Sequence, residues 1–413
     1  MGAQTPYNEL LPHLFRQEYA KMTAVLCRHF GLKHLETAED IASDTFLKAS
    51  EHWAVHGIPE NPQAWLYTVA KNKARDYFRH RTVFETQVRD RLSPGEAEQV
   101  PVIVFDRHLI ADSQLAMILA VCNPANARES QIALALQVLC GFSVAEIANA
   151  FLTKPETIKK RLQRARKNLR EDNFRIEPLS ETEVASRLDT VLKTLYLLFN
   201  EGYFSGTGNR LVRKELCSEA VRLALVLTEH PCTDTSQTNA LLALMCFQSS
   251  RLEARTDDKG ETILFEEQDR SLWDEALIRR GNYFLVNATN GGEVSRYHLE
   301  AAIAYWHTTP TDGDKWRYIL TLYDQLVLLD ASPLTAWNRI FALAMVHGKE
   351  KAIAEAEKTK ATDSRFYHAL LGFLYAGKDR DRAIAHYKQA LALTPSLPER
   401  MTLTKAIKRL KRT

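Results

Sequence analysis

The chain has 413 residues, of which 45% are hydrophobic and 25% charged, and a net charge of +3. That length exceeds one ordinary core and predicts two or more domains, while the composition excludes global disorder. Six scattered cysteines (Cys27, Cys122, Cys140, Cys217, Cys232 and Cys246) form no C-x-x-C pair. This pattern argues against a disulfide scaffold or a metal site and for a reducing, cytoplasmic setting. The first residues, MGAQTPYNELLPHLF, lack the basic-then-apolar layout of a signal peptide. No apolar run approaches the ~20 residues that cross a bilayer, so no membrane partner is expected.

Helical periodicity runs from end to end without convincing alternating strands, which predicts an all-α fold. The first compact segment spans 7–81. Within it a helix starts at Thr37, with Glu39 and Asp40 favourable against the helix dipole. Its inner face is Ala38, Ile41, Ala42, Thr45, Phe46, Ala49 and Trp53, and Asp40, Ser43, Asp44 and Leu47 remain on another face as a docking surface. After a loop from Val55 to Glu60, Asn61 caps the next helix and Pro62 takes its first position. That helix, PQAWLYTVAKNKARDYFRHR, packs Trp65, Leu66, Val69, Tyr77 and Phe78 inward. It gathers Lys71, Asn72, Arg75, Arg79 and Arg81 toward its far end. Cationic and amide groups beside aromatics suit a partly melted duplex, with phosphates held ionically and bases stacked. His52 and His56 have a metal-like spacing, but no third ligand follows and Gly57 breaks the helix.

Residues 82–112 read as a linker, broken by Ser93-Pro94-Gly95 and Pro101. A second compact segment covers 113–172 and contains GFSVAEIANAFLTKPETIKKRLQRARKNLRE. Ser143 and Glu146 form a capping box that fixes the start of one helix. Ala145, Ile147, Ala148 and Phe151 supply its buried side. Pro155 opens a second helix, whose apolar stripe is Ile158, Leu162, Ala165 and Leu169. Two helices joined by so short a turn are what a DNA-reading helix-turn-helix requires. Between 154 and 170 there are eight basic residues against one acid, a net +7 that can release counterions from a phosphate backbone. Thr157, Lys160, Arg161 and Arg164 lie where base edges would be reached, and Arg can bridge guanine O6 and N7.

From 180 to 413 come helix-length amphipathic stretches with joints at Gly206-Thr207-Gly208, Pro231, Gly291-Gly292 and Pro310-Thr311-Asp312-Gly313. Leu371, Gly372, Tyr375, Ala383, Tyr387, Ala390 and Pro395 fall nearly on the template of a tetratricopeptide repeat, one residue short in the turn. Trp337, Ala342 and Ala352 take similar roles in a less regular unit before it. Small residues at those places let two helices approach closely, and aromatics fill the space between pairs. The expectation is a tetratricopeptide-like helical extension.

Taken together, the first two segments resemble an extracytoplasmic-function sigma factor over roughly residues 7–172. AEDIASDTFLKASEHW resembles the polymerase-clamp-binding helix of that family, and PQAWLYTVAKNKARDYFRHR its helix for the −10 promoter element. The segment from Gln131 to Glu171 is similar to the domain that reads the −35 element. The resemblance implies core RNA polymerase and promoter DNA as partners. It implies that Asp40, Ser43, Asp44 and Leu47 meet the polymerase clamp and that the loop from His56 to Asn61 holds a flipped base. By the same resemblance Asn72, Arg75 and Arg79 contact −10 DNA, and Thr157, Lys160, Arg161 and Arg164 enter the −35 major groove. Ser43 stands where a Gln is common, and Lys154 where a capping Ser is usual. Residues 180 onward resemble the long extension of one subgroup, through VLKTLYLLFNEGYFSG, LFEEQDRSLWDEALI and DGDKWRYILTLYDQL. A protein or peptide partner for that extension is expected from its helical surface.

Two other classes compete with this reading. A free-standing helix-turn-helix regulator with a tetratricopeptide-like sensor would bind duplex alone and leave residues 35–81 without a role. A helical interaction scaffold would show no salt-dependent DNA affinity. For an enzyme, no nucleophile–base pair, metal triad or cofactor loop emerges at a useful spacing, and NEGYFSGTGN follows no strand and precedes no Gly-Lys-Ser/Thr. No catalytic residue, metal or cofactor is expected.

Overall fold

The computed structural model describes residues 6–89, 103–151, 153–171, 175–176, 180–203, 214–255, 257, 263, 265–309, 314–330, 332–358, 364–394 and 397–412. Gly206–Gly208, Ser93–Gly95, Pro101, Pro310–Gly313 and Pro395, named above, lie outside them. Among the described residues every regular element is helical, with no strand. The chain divides into two compact units, residues 1–194 and 195–413.

The first unit contains α1 (Pro6–Phe30), α2 (Leu35–His56), α3 (Pro62–Arg89), α4 (Arg107–Val121), α5 (Arg128–Cys140), α6 (Val144–Ala150), α7 (Pro155–Glu171) and the start of α8 (Glu181–Tyr203). All seven residues assigned to the inner face of α2 are buried. The helix begins at Leu35, two residues before Thr37, because a short 3-10 turn at Leu32–His34 feeds directly into it. Helix α3 opens at Pro62, with the Ala64 N–H donating to Asn61 Oδ1 at 2.9 Å. It runs to Arg89, into the segment read as linker, and α4 starts at Arg107 rather than beyond 112. Nothing in 82–89 breaks a helix, and Asp106 caps α4 through the Leu109 N–H at 2.8 Å.

One core joins these helices. Met22 and Leu26 of α1, Trp53 of α2, Leu66 of α3, Leu119 of α4 and Leu136 of α5 are all fully enclosed. Burying each such side chain contributes ~1.5–3 kcal/mol before entropy is counted. Phe15 of α1 packs edge-on to Phe46 of α2 at 5.0 Å. Gly141 ends α5 in the left-handed conformation (φ +70°), and a Cβ there would lie 2.7 Å from the Phe15 ring. The first unit also keeps α8 as far as Thr194, past the expected start of the extension at 180. Val184, Val191 and Leu192 are buried, and Thr194 Oγ1 donates to Gln131 Oε1 at 2.9 Å.

The second unit continues with α9 (Lys214–Thr228), α10 (Ser236–Ser249), α11 (Glu275–Asn287), α12 (Arg296–Thr308), α13 (Lys315–Leu329), α14 (Pro333–His347), α15 (Lys349–Glu357), α16 (Arg365–Tyr375), α17 (Arg380–Leu393) and α18 (Leu397–Arg412). Pro231 and Gly291-Gly292 fall in the joints α9–α10 and α11–α12. Helices α16 and α17 pack as a pair of the tetratricopeptide kind. Leu371, Gly372, Tyr375, Ala383 and Ala390 are buried, and a Cβ on Gly372 would meet the Tyr387 ring at 2.6 Å. Trp337, Ala342 and Ala352 are buried in α14 and α15.

Candidate nucleic-acid interface

The pair α6–α7 has the two-helix geometry that its residues specify. The Ser143 N–H donates to Glu146 Oε2 at 2.8 Å, and the Glu146 N–H returns to Ser143 Oγ at 3.2 Å. This reciprocal box fixes where α6 starts. Pro155 heads α7, where the Thr157 N–H bonds the Lys154 carbonyl at 2.9 Å, and the Thr153 N–H bonds back to the Ala148 carbonyl of α6 at 3.0 Å. Ile158, Leu162, Ala165 and Leu169 are buried as one stripe. In α6, Ile147 and Ala148 are buried, but Ala145 is exposed and Ala150 takes the inward place; Phe151, just past the helix, is half-buried. The helix is only two turns long, so three of its positions suffice to cover α7.

Stripe and charge together set what α7 presents. Lys160 and Arg164 are exposed, and Thr157 and Arg161 are half-buried beside them. These four positions, spaced three, four and seven apart, share one face of a helix. Among the described residues Lys154, Lys160, Arg161 and Arg164 have no acidic partner, whereas Lys159 pairs with Glu156 and Lys167 with Glu171.

Arg166 departs from the uniform basic face expected of α7. Its guanidinium is turned inward against α2, with both terminal nitrogens 2.8 Å from the Glu39 carboxylate, and it also donates to Gln137 Oε1. Burial pushes the Glu39 carboxyl up, against the pull of Arg166. Arg170 adds an exposed pair to Glu36 at 3.3 Å. Glu39 therefore does more than complement the dipole of α2; it ties the helix-turn-helix to the first helices. The clue in the sequence was positional: Arg166 directly follows buried Ala165 and lies one turn from Leu162 and Leu169, on the flank of the apolar stripe.

The other two surfaces belong to α2 and α3. Asp40, Ser43, Asp44 and Leu47 are exposed on one side of α2, Leu47 to 59%. Lys73 of α3 reaches Asp44 at 3.2 Å. On α3, Asn72, Arg75 and Arg79 are exposed and repeat at three and four residues, so they form a single row. Arg79 lies 3.9 Å from Asp76, an exposed pair of little energetic weight. Trp65 packs on Trp53 at 5.5 Å, and Tyr77 and Phe78 flank Phe30, which holds the row on a rigid support. The loop opens at Gly57 (φ +79°), because α2 continues through Val55 and His56, and Val55 and Ile58 are exposed on either side of that glycine. Sequence reasoning missed the Tyr67 hydroxyl bonded to buried Glu18, which locks α3 onto α1.

A helix-turn-helix with a capped first helix is thus carried together with helices α1, α2 and α3, and sigma-70 domains are what this part of the chain matches. Residues 14–83 match sigma-70 region 2, and residues 127–169 match sigma-70 region 4. Residues 187–289 match a family of unknown function, DUF6596. The chain is 32% identical over 385 residues to the uncharacterized protein R00370 of Rhizobium meliloti (strain 1021), covering 91% of this chain and 89% of that one. It is 34% identical over 73 residues to the RNA polymerase sigma factor YlaC of Bacillus subtilis (strain 168), covering 18% of this chain and 41% of that one. No solved structure matches the chain. The chain belongs to the extracytoplasmic-function sigma factors and carries a C-terminal helical extension. No helix among the described residues is long and apolar enough to cross a membrane.

Proposed function

We propose that this sigma factor binds core RNA polymerase through Asp40, Ser43, Asp44 and Leu47, and directs it to promoters in the cytoplasm. Asn72, Arg75 and Arg79 contact −10 DNA, with the loop from His56 to Asn61 receiving a flipped base. Thr157, Lys160, Arg161 and Arg164 enter the −35 major groove. The sigma chain helps melt DNA and catalyses no bond change itself; polymerase does. The observation that carries this reading is that Lys154, at the head of α7, and Lys160, Arg161 and Arg164 along it have no acidic partner among the described residues, on the second helix of a pair whose first helix is capped. Such a set pairs phosphate-binding charge with side chains able to read base edges.

Co-purification of tagged full-length protein with core polymerase tests it. Stoichiometric capture that an Asp40/Asp44/Leu47 triple alanine variant loses is the expected result. No capture where a known sigma factor binds would reassign the chain to the free-standing regulators.

The extension regulates in cis, supported by its broad stack of helical pairs, which suits protein or peptide contacts. A chain ended after Thr194 is the test, since ending near residue 171 would also strip buried Val184, Val191 and Leu192 from the first unit. Equal transcription by the shortened and full chains under every condition would sink this part.

A further inference from the structure

The second unit forms an open-mouthed cavity of about 870 Å³, walled by the end of α8 and by α10, α12, α13 and helices of the C-terminal pairs. That volume lies in the range of pockets that enclose small organic ligands, ~300–1,000 Å³. Its wall combines aromatic faces with cations. The Arg251 guanidinium lies over Phe265 at 4.7 Å and near Trp273 at 5.9 Å. Arg255 lies 3.7 Å over Tyr203, and Lys315 lies 5.7 Å from both Phe265 and Trp316. Stacking occupies the flat face of a guanidinium and leaves its in-plane N–H donors, the atoms that recognise carboxylate or phosphate. Arg251 uses one of its five on the Tyr203 hydroxyl, at 2.9 Å, and has no acidic partner among the described residues.

The acids on this wall are committed elsewhere or lie at its exposed edge. Arg296 holds Glu300 at 2.7 Å and Asp330 at 3.4 Å; Glu267 faces Arg409 at 3.4 Å; Glu266 is exposed. His307 stands beside Arg251, Lys315 and the Phe265 ring, and its Nδ1 is buried with no hydrogen-bond partner. Burial and those two cations keep its imidazole neutral. Gln248 Oε1 and Gln268 Oε1, on the same wall, are likewise buried and unpartnered. Unmet polar atoms around an aromatic-walled cavity are groups that a ligand satisfies.

We propose that this cavity binds a small organic anion, a carboxylate or phosphate attached to a flat ring. Arg251 anchors the charge, His307 Nδ1 makes a second polar contact, and Phe265 and Trp316 flank the ring. This goes beyond regulation in cis by giving the extension a ligand class, and its test requires neither polymerase nor DNA. Failure here and failure of polymerase capture are therefore distinguishable.

The experiment titrates the full chain with benzoate, phenyl phosphate and neutral benzamide, read by ligand-observed NMR, which detects weak binders. At least one anion binds saturably, and which of the two binds tighter separates carboxylate from phosphate ligands. Benzamide binds at least about tenfold more weakly, a difference of ~1.4 kcal/mol. Arg251→Met weakens the anion by at least about tenfold, whereas Arg279→Met, an exposed residue of α11 paired with Glu275, leaves it unchanged. If Arg251→Met fails to fold, Arg251→Lys serves, because it keeps the charge and loses the planar fork; the anion then binds at least about threefold more weakly. The proposal is overturned if neither anion binds, if benzamide binds as tightly, or if the folded Arg251 variant binds as wild type does.

Discussion

Arg166 and Glu39 meet fork to fork, through two parallel N–H···O contacts of 2.8 Å, across 127 residues of sequence. The side chains are only 13% and 12% exposed, and Gln137 takes two further donors of the same guanidinium. Bidentate geometry of this kind offsets much of the desolvation that burying the two charges requires.

Glu39→Gln or Arg166→Met alone leaves one buried charge without its counterion, and is expected to destabilise the first unit by about 3 kcal/mol. The double variant loses less than the sum of the two, because neither orphan charge remains. Urea unfolding of the four chains measures this; strictly additive losses would show that the pair does not couple.

Gly141 sets a second test of the same packing. Alanine there must adopt φ near +70° and place a methyl 2.7 Å from Phe15 Cε1. The left-handed backbone alone costs ~1–2 kcal/mol, and displacing Phe15 adds to it. Gly141→Ala is expected to lower the melting temperature markedly in the wild-type background and less in a Phe15→Leu background. An equal loss in both would place the whole effect in the backbone.

On DNA, the helix-turn-helix residues divide by what they touch. Arg161→Ala is expected to lower discrimination at one −35 base position by ~1–3 kcal/mol. Lys154→Ala, outside the groove-entering set, is expected to weaken all sequences alike and to reduce the salt slope by ~0.9. The Glu39→Gln/Arg166→Met double variant leaves the salt slope unchanged, since Arg166 is spent inside the protein. Binding to a promoter series at several salt concentrations separates the three outcomes.

His307 makes the second unit sensitive to acid. Its imidazole is pushed down to about 3 by burial, Arg251 and Lys315, from an ordinary value of 6.5. Between those values the unfolded chain binds a proton that the folded one does not, so stability falls as pH drops below 6.5. One such group contributes up to ~1.4 kcal/mol per pH unit. His298 is lowered in the same sense by burial, while the buried carboxyl of Glu300 is raised and opposes the trend. From pH 7.5 to 5 the melting temperature of wild type is expected to fall by more than that of His307→Phe, the variant being the flatter of the two. Parallel curves would count against a neutral, buried His307.

Local sequence was sufficient for the parts whose structure is set by near neighbours. The box between Ser143 and Glu146, Pro155 at the head of α7, Asn61 capping α3 and the buried stripes of α2 and α7 are each fixed within a turn or two of helix. The small residues of the last pair were legible for the same reason: Gly372 makes room for a ring only fifteen positions away. Tertiary structure alone decided what lies between distant segments. Arg166 and Lys160 are both cations on α7, and only the presence of Glu39 and Gln137 across the packing makes one a buried strut, while the other is exposed with no acidic partner among the described residues. The same holds for the cavity, whose wall draws Tyr203, Arg251, Phe265 and His307 from four separate stretches of chain. Helix periodicity says which face is buried; it carries no information on which partner buries it, because that pairing is set by long-range packing and charge.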